Sequence, residues 1–252
     1  MRRFEERVCF VTGAASGIGA AVSRALVSEG ARVVLADLDR AGAERLAREL
    51  GPGALALQLD VRREEDWERA FEASERTFGR LDGLVHCAGI SAGSPLVDTE
   101  LSEWRRVLET NLDGAFLAVR AALRRLAGGG SIVLIGSASG IRPAAGAAAY
   151  SASKAALAML ARTAAKEARE RKLRVNVVSP AGVKTALWRQ MPFFVELVRQ
   201  HGSEDAAFAA LCGPGERFAE PGEVAAAVLF LLSDAAAHLT GVELPVDGGY
   251  TL

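Results

Sequence analysis

Val8-Cys-Phe-Val-Thr-Gly-Ala-Ala-Ser-Gly-Ile-Gly19 runs from an apolar segment of strand character straight into a glycine cluster, and residues 20–29 then take up a helical pattern. Glycines at 13, 17 and 19 let the backbone turn sharply and let a ligand approach the helix start closely. Unpaired N–H groups and the positive dipole end at that point favour a phosphate group. Three residues separate the first two glycines, so the spacing differs from the common Gly-x-Gly-x-x-Gly, and Ser16 stands just ahead of Gly17. A plain turn would also use such glycines. Their place between a strand and a helix argues for the phosphate site, with Ile18 inside the loop.

The same alternation continues along the chain. Short apolar runs at 8–12, 31–36, 54–59, 84–88, 131–135, 174–178 and 242–246 lack polar alternation, which suits strands covered on both faces. Helical patterns lie between them at 41–50, 64–78, 101–126, 148–171 and 223–232. In the second of these Trp67, Phe71, Ser74 and Phe78 share a face, and glutamates supply the polar side. Pro221 followed by Glu223 fits a helix N-terminus. The expectation is one α/β domain over 1–252, a doubly wound parallel sheet of seven strands of Rossmann type with helices on both faces.

Composition narrows the function. Among 252 residues, 30 Lys+Arg balance 31 Asp+Glu, 50% are hydrophobic and 6% aromatic. That is a globular composition without the basic footprint or aromatic platform of a nucleic-acid binder. Cys9, Cys87 and Cys212 are too scattered for a disulfide framework or a metal pair, and His86, His201 and His238 lack metal-ligand spacing, so no metal is expected. No apolar run reaches membrane-spanning length, and MRRFEERVCF carries acids where a signal peptide needs an apolar core. A cytoplasmic protein with no membrane partner is the expectation.

Asp37 follows the second strand, 18 residues after Gly19. A carboxylate there can accept hydrogen bonds from a ribose diol and repels a 2′-phosphate. With Leu38 next to it and no basic residue in the glycine loop, NAD is favoured over NADP. Arg40 keeps the phosphorylated cofactor in play, and a helix N-cap is the competing role for Asp37. Further along, Tyr150-Ser-Ala-Ser-Lys154 sets a phenol and an ammonium on one helical face. A neighbouring cation lowers the pKa of a phenol, which would make Tyr150 a general acid/base. Ser137 precedes it by 13 residues, just after a strand, and Asn111 is an amide within an otherwise apolar helical stretch.

Taken together, Thr12 to Gly19, Asp60-Val61, Ala88-Gly89, Asn111-Leu-Asp-Gly114, Ser137, Tyr150 with Lys154, and Pro180 to Thr185 resemble the short-chain dehydrogenase/reductase family over essentially the whole chain. The resemblance implies that Tyr150 exchanges a proton with the substrate oxygen while Ser137 holds that oxygen. It implies that Lys154 binds the nicotinamide ribose and that Asn111 anchors a water in a proton relay. Asp60 and Val61 would border the adenine. Cys87, Ala88 and Gly89 would back the cofactor, and Pro180, Val183 and Thr185 would hold its nicotinamide half. A homotetramer is implied as well, with the alanine-rich stretches 118–122 and 155–165 permitting close helix approach. Two departures stand out: His86-Cys-Ala-Gly89 where relatives commonly read Asn-Asn-Ala-Gly, and Ala181 where a glycine usually follows the proline.

The resulting expectation is hydride transfer between NAD(H) and a secondary alcohol or ketone. The alternatives are an NADPH-dependent 3-oxoacyl-thioester reductase and a nucleotide-binding sensor without turnover. Residues 186–220 break the rhythm and suggest a substrate lid, or else an extra helix pair on the core. Trp188, Met191, Phe193 and Phe194 suggest an apolar pocket wall there, hence a hydrophobic or cyclic substrate. Cys87 reads as a buried structural thiol rather than a reactive one.

Overall fold

The computed structural model describes residues 2–213 and 216–252. Its elements in chain order are β1 (Val8–Thr12), α1 (Gly17–Ser28), β2 (Arg32–Asp37), α2 (Arg40–Leu50), β3 (Ala54–Gln58), α3 (Glu64–Phe78) and β4 (Gly83–His86). There follow α4 (Leu101–Leu108), α5 (Gly114–Arg125), β5 (Ser131–Ile135), α6 (Ala148–Glu167) and β6 (Arg174–Pro180). The chain ends with α7 (Pro192–His201), α8 (Glu204–Ala210), α9 (Pro221–Leu232) and β7 (Glu243–Val246).

The seven strands form one sheet in the order β3-β2-β1-β4-β5-β6-β7, and every pairing is parallel. Because successive side chains of a strand point to opposite faces, β1 feeds two cores at once. Phe10 joins Trp67, Phe71, Val119 and Leu157 on the side of α3, α5 and α6. Val11 joins Leu26, Leu35, Val228 and Leu229 on the side of α1, α2 and α9. The chain reverses its direction of travel across the sheet between β1 and β4. In an open parallel sheet that reversal leaves a crevice at the carboxyl ends of the strands, where ligands bind.

Two expectations change in detail. The stretch 101–126 is not one regular helix, because residues Glu109–Asp113 form a π-turn between α4 and α5. The alanines at 118, 122, 161, 164 and 165 are buried in the core beside the sheet, so their small size serves internal packing, while Ala155 is exposed. Helix α9 begins as predicted, with Pro221 in its first turn and the Glu223 carboxylate accepting from the Glu220 N–H at 2.8 Å.

Candidate active site

The glycine loop is built as a cradle. Gly13 and Gly17 have positive φ (63° and 54°), which only glycine adopts freely. A Cβ on Gly13 would lie 2.9 Å from the Ala88 nitrogen, and one on Gly19 would collide with the Gly13 carbonyl. The loop therefore folds against its own helix and against the end of β4 with no space for side chains. Ser16 is the N-cap residue of α1, yet its side chain caps nothing, and the first turn carries no acid. The N-terminal N–H groups are thus left for an anion, and the residues present fit the pyrophosphate of a dinucleotide. Ile18 packs into the neighbouring core.

Asp37 ends β2 with its carboxylate accepting from Ala15 N–H and Asp39 N–H, both at 2.9 Å. It ties the loop to the strand and is not the helix cap. Asp39 takes that role, accepting from Gly42 N–H at 2.9 Å. Arg40, the residue that kept a 2′-phosphate in play, is paired with Glu44 one helical turn on, and Leu38 is 61% exposed. Asp60 lies after β3 with its carboxylate bound by Arg62, which lowers its pKa, and Val61 is buried against Gly114.

The chemical residues converge from three elements. Ser137 follows β5, is buried, and accepts from Ser139 N–H at 3.1 Å. Tyr150 and Lys154 share a face of α6, with Lys154 Nζ 5.7 Å from the phenol ring centroid. The π-turn aims Asn111 into the molecule, where Nδ2 donates to Ile90 O (2.9 Å) and Ser153 Oγ (3.1 Å). Its Oδ1 accepts from Ile90 N–H at 2.8 Å. Ser153 Oγ donates on to the Tyr150 carbonyl at 2.7 Å. Gly89 sits between Asn111 Oδ1 and Lys154 Nζ, 3.2 and 3.4 Å from where its Cβ would be. Asn111 thus fastens the segment after β4 to the helix that carries the phenol. The sequence did not single out Ser153 or Ile90, because their roles depend on which elements meet.

The electrostatics correct one expectation. Burial pushes the Tyr150 pKa up, with hydrogen bonding to Ser137 pulling the other way. Lys154 Nζ donates to the Ile135 carbonyl at 2.8 Å rather than to the phenol. Burial instead pulls Lys154 itself down to about 8. Burial pushes the Cys87 thiol up to about 12, although the residue as a whole is only half-buried. Among the described residues no group of three His, Cys, Asp or Glu could hold a metal.

The segment after β6 carries Pro180, Val183 and Thr185. Val183 is buried and bridges Ala219, and Thr185 lies against Gly17, across a cavity of about 590 Å³ that Ser16, Lys184, Arg189 and Phe208 also line. Residues 186–213 form a helical turn, α7 and α8; Pro214 and Gly215 of the expected lid lie outside the described residues. Two of the side chains expected to wall a pocket, Trp188 and Phe194, fill a small core of their own instead. Trp188 packs against Phe194, Phe208 and Phe218 (ring centroids 5.7, 6.1 and 5.0 Å) and its indole N–H donates to Val183 O at 2.9 Å. Phe194 and Phe208 are buried in this third small core, and Phe193 is exposed. The glycine displaced to position 182 is explained as well: Phe218 Cε1 lies 2.6 Å from where a Cβ on Gly182 would be.

A family model described as enoyl-(acyl carrier protein) reductase matches residues 13–251. The chain is 42% identical to a cis-4-hydroxycyclohexanecarboxylate dehydrogenase of Sinomonas cyclohexanicum, over 98% of each chain. The chain belongs to the short-chain dehydrogenase/reductase family. It is also 34% identical to a 2,5-dichloro-2,5-cyclohexadiene-1,4-diol dehydrogenase of Sphingobium indicum, over 99% of this chain and 98% of the relative. Among solved structures, a 3-ketoacyl-(acyl-carrier-protein) reductase from Brucella melitensis complexed with NADH superposes with a TM-score of 0.87 at 32% identity, covering 98% of this chain and 99% of the other. A short-chain dehydrogenase/reductase is an alcohol or carbonyl oxidoreductase, and the seven-stranded sheet matches that neighbour over its length.

Proposed function

We propose that this short-chain dehydrogenase/reductase moves a hydride between NAD(H) and a hydrophobic or cyclic secondary alcohol or ketone. The observation that carries the reading is the convergence of Ser137, Tyr150, Lys154 and Asn111 beside a cradle whose second-strand exit is the carboxylate of Asp37. Gly13, Ser16, Gly17, Ile18 and Gly19 hold the pyrophosphate, Asp37 the adenosine ribose, and Asp60 with Val61 the adenine side. Cys87, Ala88 and Gly89 back the nicotinamide half, and Pro180, Val183 and Thr185 face it from the other strand end.

NAD(H), when bound, supplies or accepts the hydride. The chain's own part is positioning and proton transfer. Tyr150 gives a proton to a carbonyl oxygen or takes one from a hydroxyl, and Ser137 holds that oxygen by hydrogen bond. Lys154 binds the nicotinamide ribose and brings positive charge near the phenol. Asn111 anchors a water in a proton relay behind Lys154. Residues 186–220 close over the substrate as a lid. The cyclic relatives support the substrate class, since two of them act on ring-bearing alcohols by name.

The test is a thermal-shift titration with NAD, NADH, NADP and NADPH, followed by assay on a panel of secondary alcohols. A ligand at 100 times its Kd adds roughly 2.7 kcal/mol of apparent stability. Stabilisation by NAD(H) with turnover of cyclic alcohols is the expected result. Stabilisation by NADP(H) instead would favour the second reading, a 3-oxoacyl-thioester reductase, which the likeness to a ketoacyl reductase supports. No response to any nucleotide would leave a protein without turnover.

We further place the protein in the cytoplasm as a homotetramer. Phe116 on α5 and Met159 on α6 are exposed apolar side chains on the helices that would pair. A monomer by light scattering would overturn the assembly.

A further inference from the structure

His86 is the last residue of β4, 1% exposed, and nothing in the proposed chemistry uses it. The parallel register sets it directly beside Thr12, the last residue of β1. Their side chains meet at 3.0 Å, Thr12 Oγ1 to His86 Nδ1. The same Thr12 oxygen accepts from two backbone groups, Cys87 N–H and Ala88 N–H, each at 3.2 Å.

A hydroxyl has two acceptor lone pairs and one proton. With both lone pairs engaged by N–H groups, the remaining bond to His86 uses the Thr12 proton, and Nδ1 is the acceptor. The imidazole is then neutral, with its own proton on Nε2. That nitrogen is fully buried without a partner, beside the Trp67 ring at 6.2 Å between centroids. The neutral form is the one this position favours, because burial and the Lys154 charge push the imidazole down to about 3.

What the junction holds is the shared wall of the site. The Gly13 turn rests on the backbone of Cys87 and Ala88, and the next residue, Gly89, faces both Asn111 and Lys154. A slip of this segment would disturb the close approaches of Gly13 on one side and Gly89 on the other.

We propose that His86 is a positioning residue: by accepting the Thr12 hydroxyl proton at Nδ1, it locks Thr12 as the double acceptor that holds Cys87 and Ala88 against the dinucleotide cradle. The cofactor part of this inference rests on the proposed function; the tautomer does not. It acts through Thr12 and touches no reacting atom.

Three variants and one spectrum test it. His86→Leu removes the acceptor, Thr12→Val removes the hydroxyl, and His86→Asn sets an amide oxygen near the position of Nδ1. His86→Leu should weaken NADH binding about tenfold or more, as loss of a buried hydrogen-bond partner does. Its kcat at saturating NADH and its KM for the ketone should stay within about twofold of wild type. His86→Asn should restore most of the binding, and His86→Leu should add little in the Thr12→Val background, since coupled residues are not additive. Nitrogen-15 NMR of the dinucleotide-free wild type should show the Nε2–H tautomer. A proton on Nδ1, unchanged NADH affinity in His86→Leu, or additive losses would overturn the proposal. If His86→Leu does not fold, tenfold weaker binding by a folded His86→Asn overturns it equally. A wild-type chain that binds no dinucleotide defeats the proposed function and takes the cofactor part with it, whatever the tautomer.

Discussion

Lys154 Nζ donates to the Ile135 carbonyl at 2.8 Å and not to the phenol of Tyr150, four residues before it on the same helix. Burial raises the pKa of the phenol, and its hydrogen bond to Ser137 works against that rise. A bound nicotinamide ribose would offer Lys154 a second acceptor beside Tyr150. The acid/base character of the phenol is then a property of the complex.

The Tyr150 titration should consequently shift on dinucleotide binding. Tyrosinate absorbance of the free protein should place Tyr150 above the ordinary phenol value, and saturation with NADH should move it down. A titration that ignores the dinucleotide would sink the idea. Tyr150→Phe should lose about 10²–10⁴ in kcat, the usual share of acid/base catalysis, with NADH affinity close to wild type.

Replacing Asp37 by Asn removes a charged acceptor from the strand exit while keeping the shape. NAD should bind about 10- to 100-fold more weakly, the scale of a hydrogen bond to a charged group. NADP should lose less or gain, because the repulsion of its 2′-phosphate disappears. Calorimetric Kd values for both nucleotides check it, and equal losses for the two would refute the carboxylate's role in discrimination.

Gly182→Ala puts a methyl 2.6 Å from the Phe218 ring. The ring must move, and with it Trp188 and Phe208, whose edges meet Phe218 and each other. Overpacking of this kind costs about 1–3 kcal/mol. Lower thermal stability and altered tryptophan fluorescence are expected, with a higher KM for the alcohol and an unaltered NADH Kd.

Acid stability should depend on His86. The unfolded imidazole takes a proton near its ordinary value of about 6.5, whereas the folded one resists until about 3. Between those values the unfolded state binds more protons, so stability falls as pH falls. Above about 6.5 this contribution is intact. His86→Asn titrates nothing there, so its melting temperature should decline less than wild type from pH 6.5 to 4. Parallel declines would exclude His86 as a contributor.

Much of this was legible in the chain itself. The seven apolar runs became the seven strands within a residue or two, because strands buried on both faces need no partner to betray themselves. Asp37, Ser137, Tyr150 and Lys154 stand where an element ends or a helix faces the crevice, so their spacing reports their position. Thr12 stands in the motif without a role of its own, since its value depends on lying beside a residue 74 positions away, which only the β1–β4 register reveals. The lid aromatics were misjudged for a different reason. An apolar ring covers a pocket or fills a small core with the same composition, and the contact between Trp188 and Phe218 decides which.

The π-turn at Glu109–Asp113 amounts to one residue more than a regular helix would hold between α4 and α5. Deleting Thr110 would let the two helices fuse into a continuous α-helix, locally the more comfortable arrangement. Each residue of an α-helix advances about 100° around its axis, so the deletion would swing Asn111 away from Ile90 and Ser153. A lineage under selection for robustness alone would drift toward that repair and lose the Asn111 contacts without losing its shape. The irregular turn is where mutational smoothing and turnover pull in opposite directions.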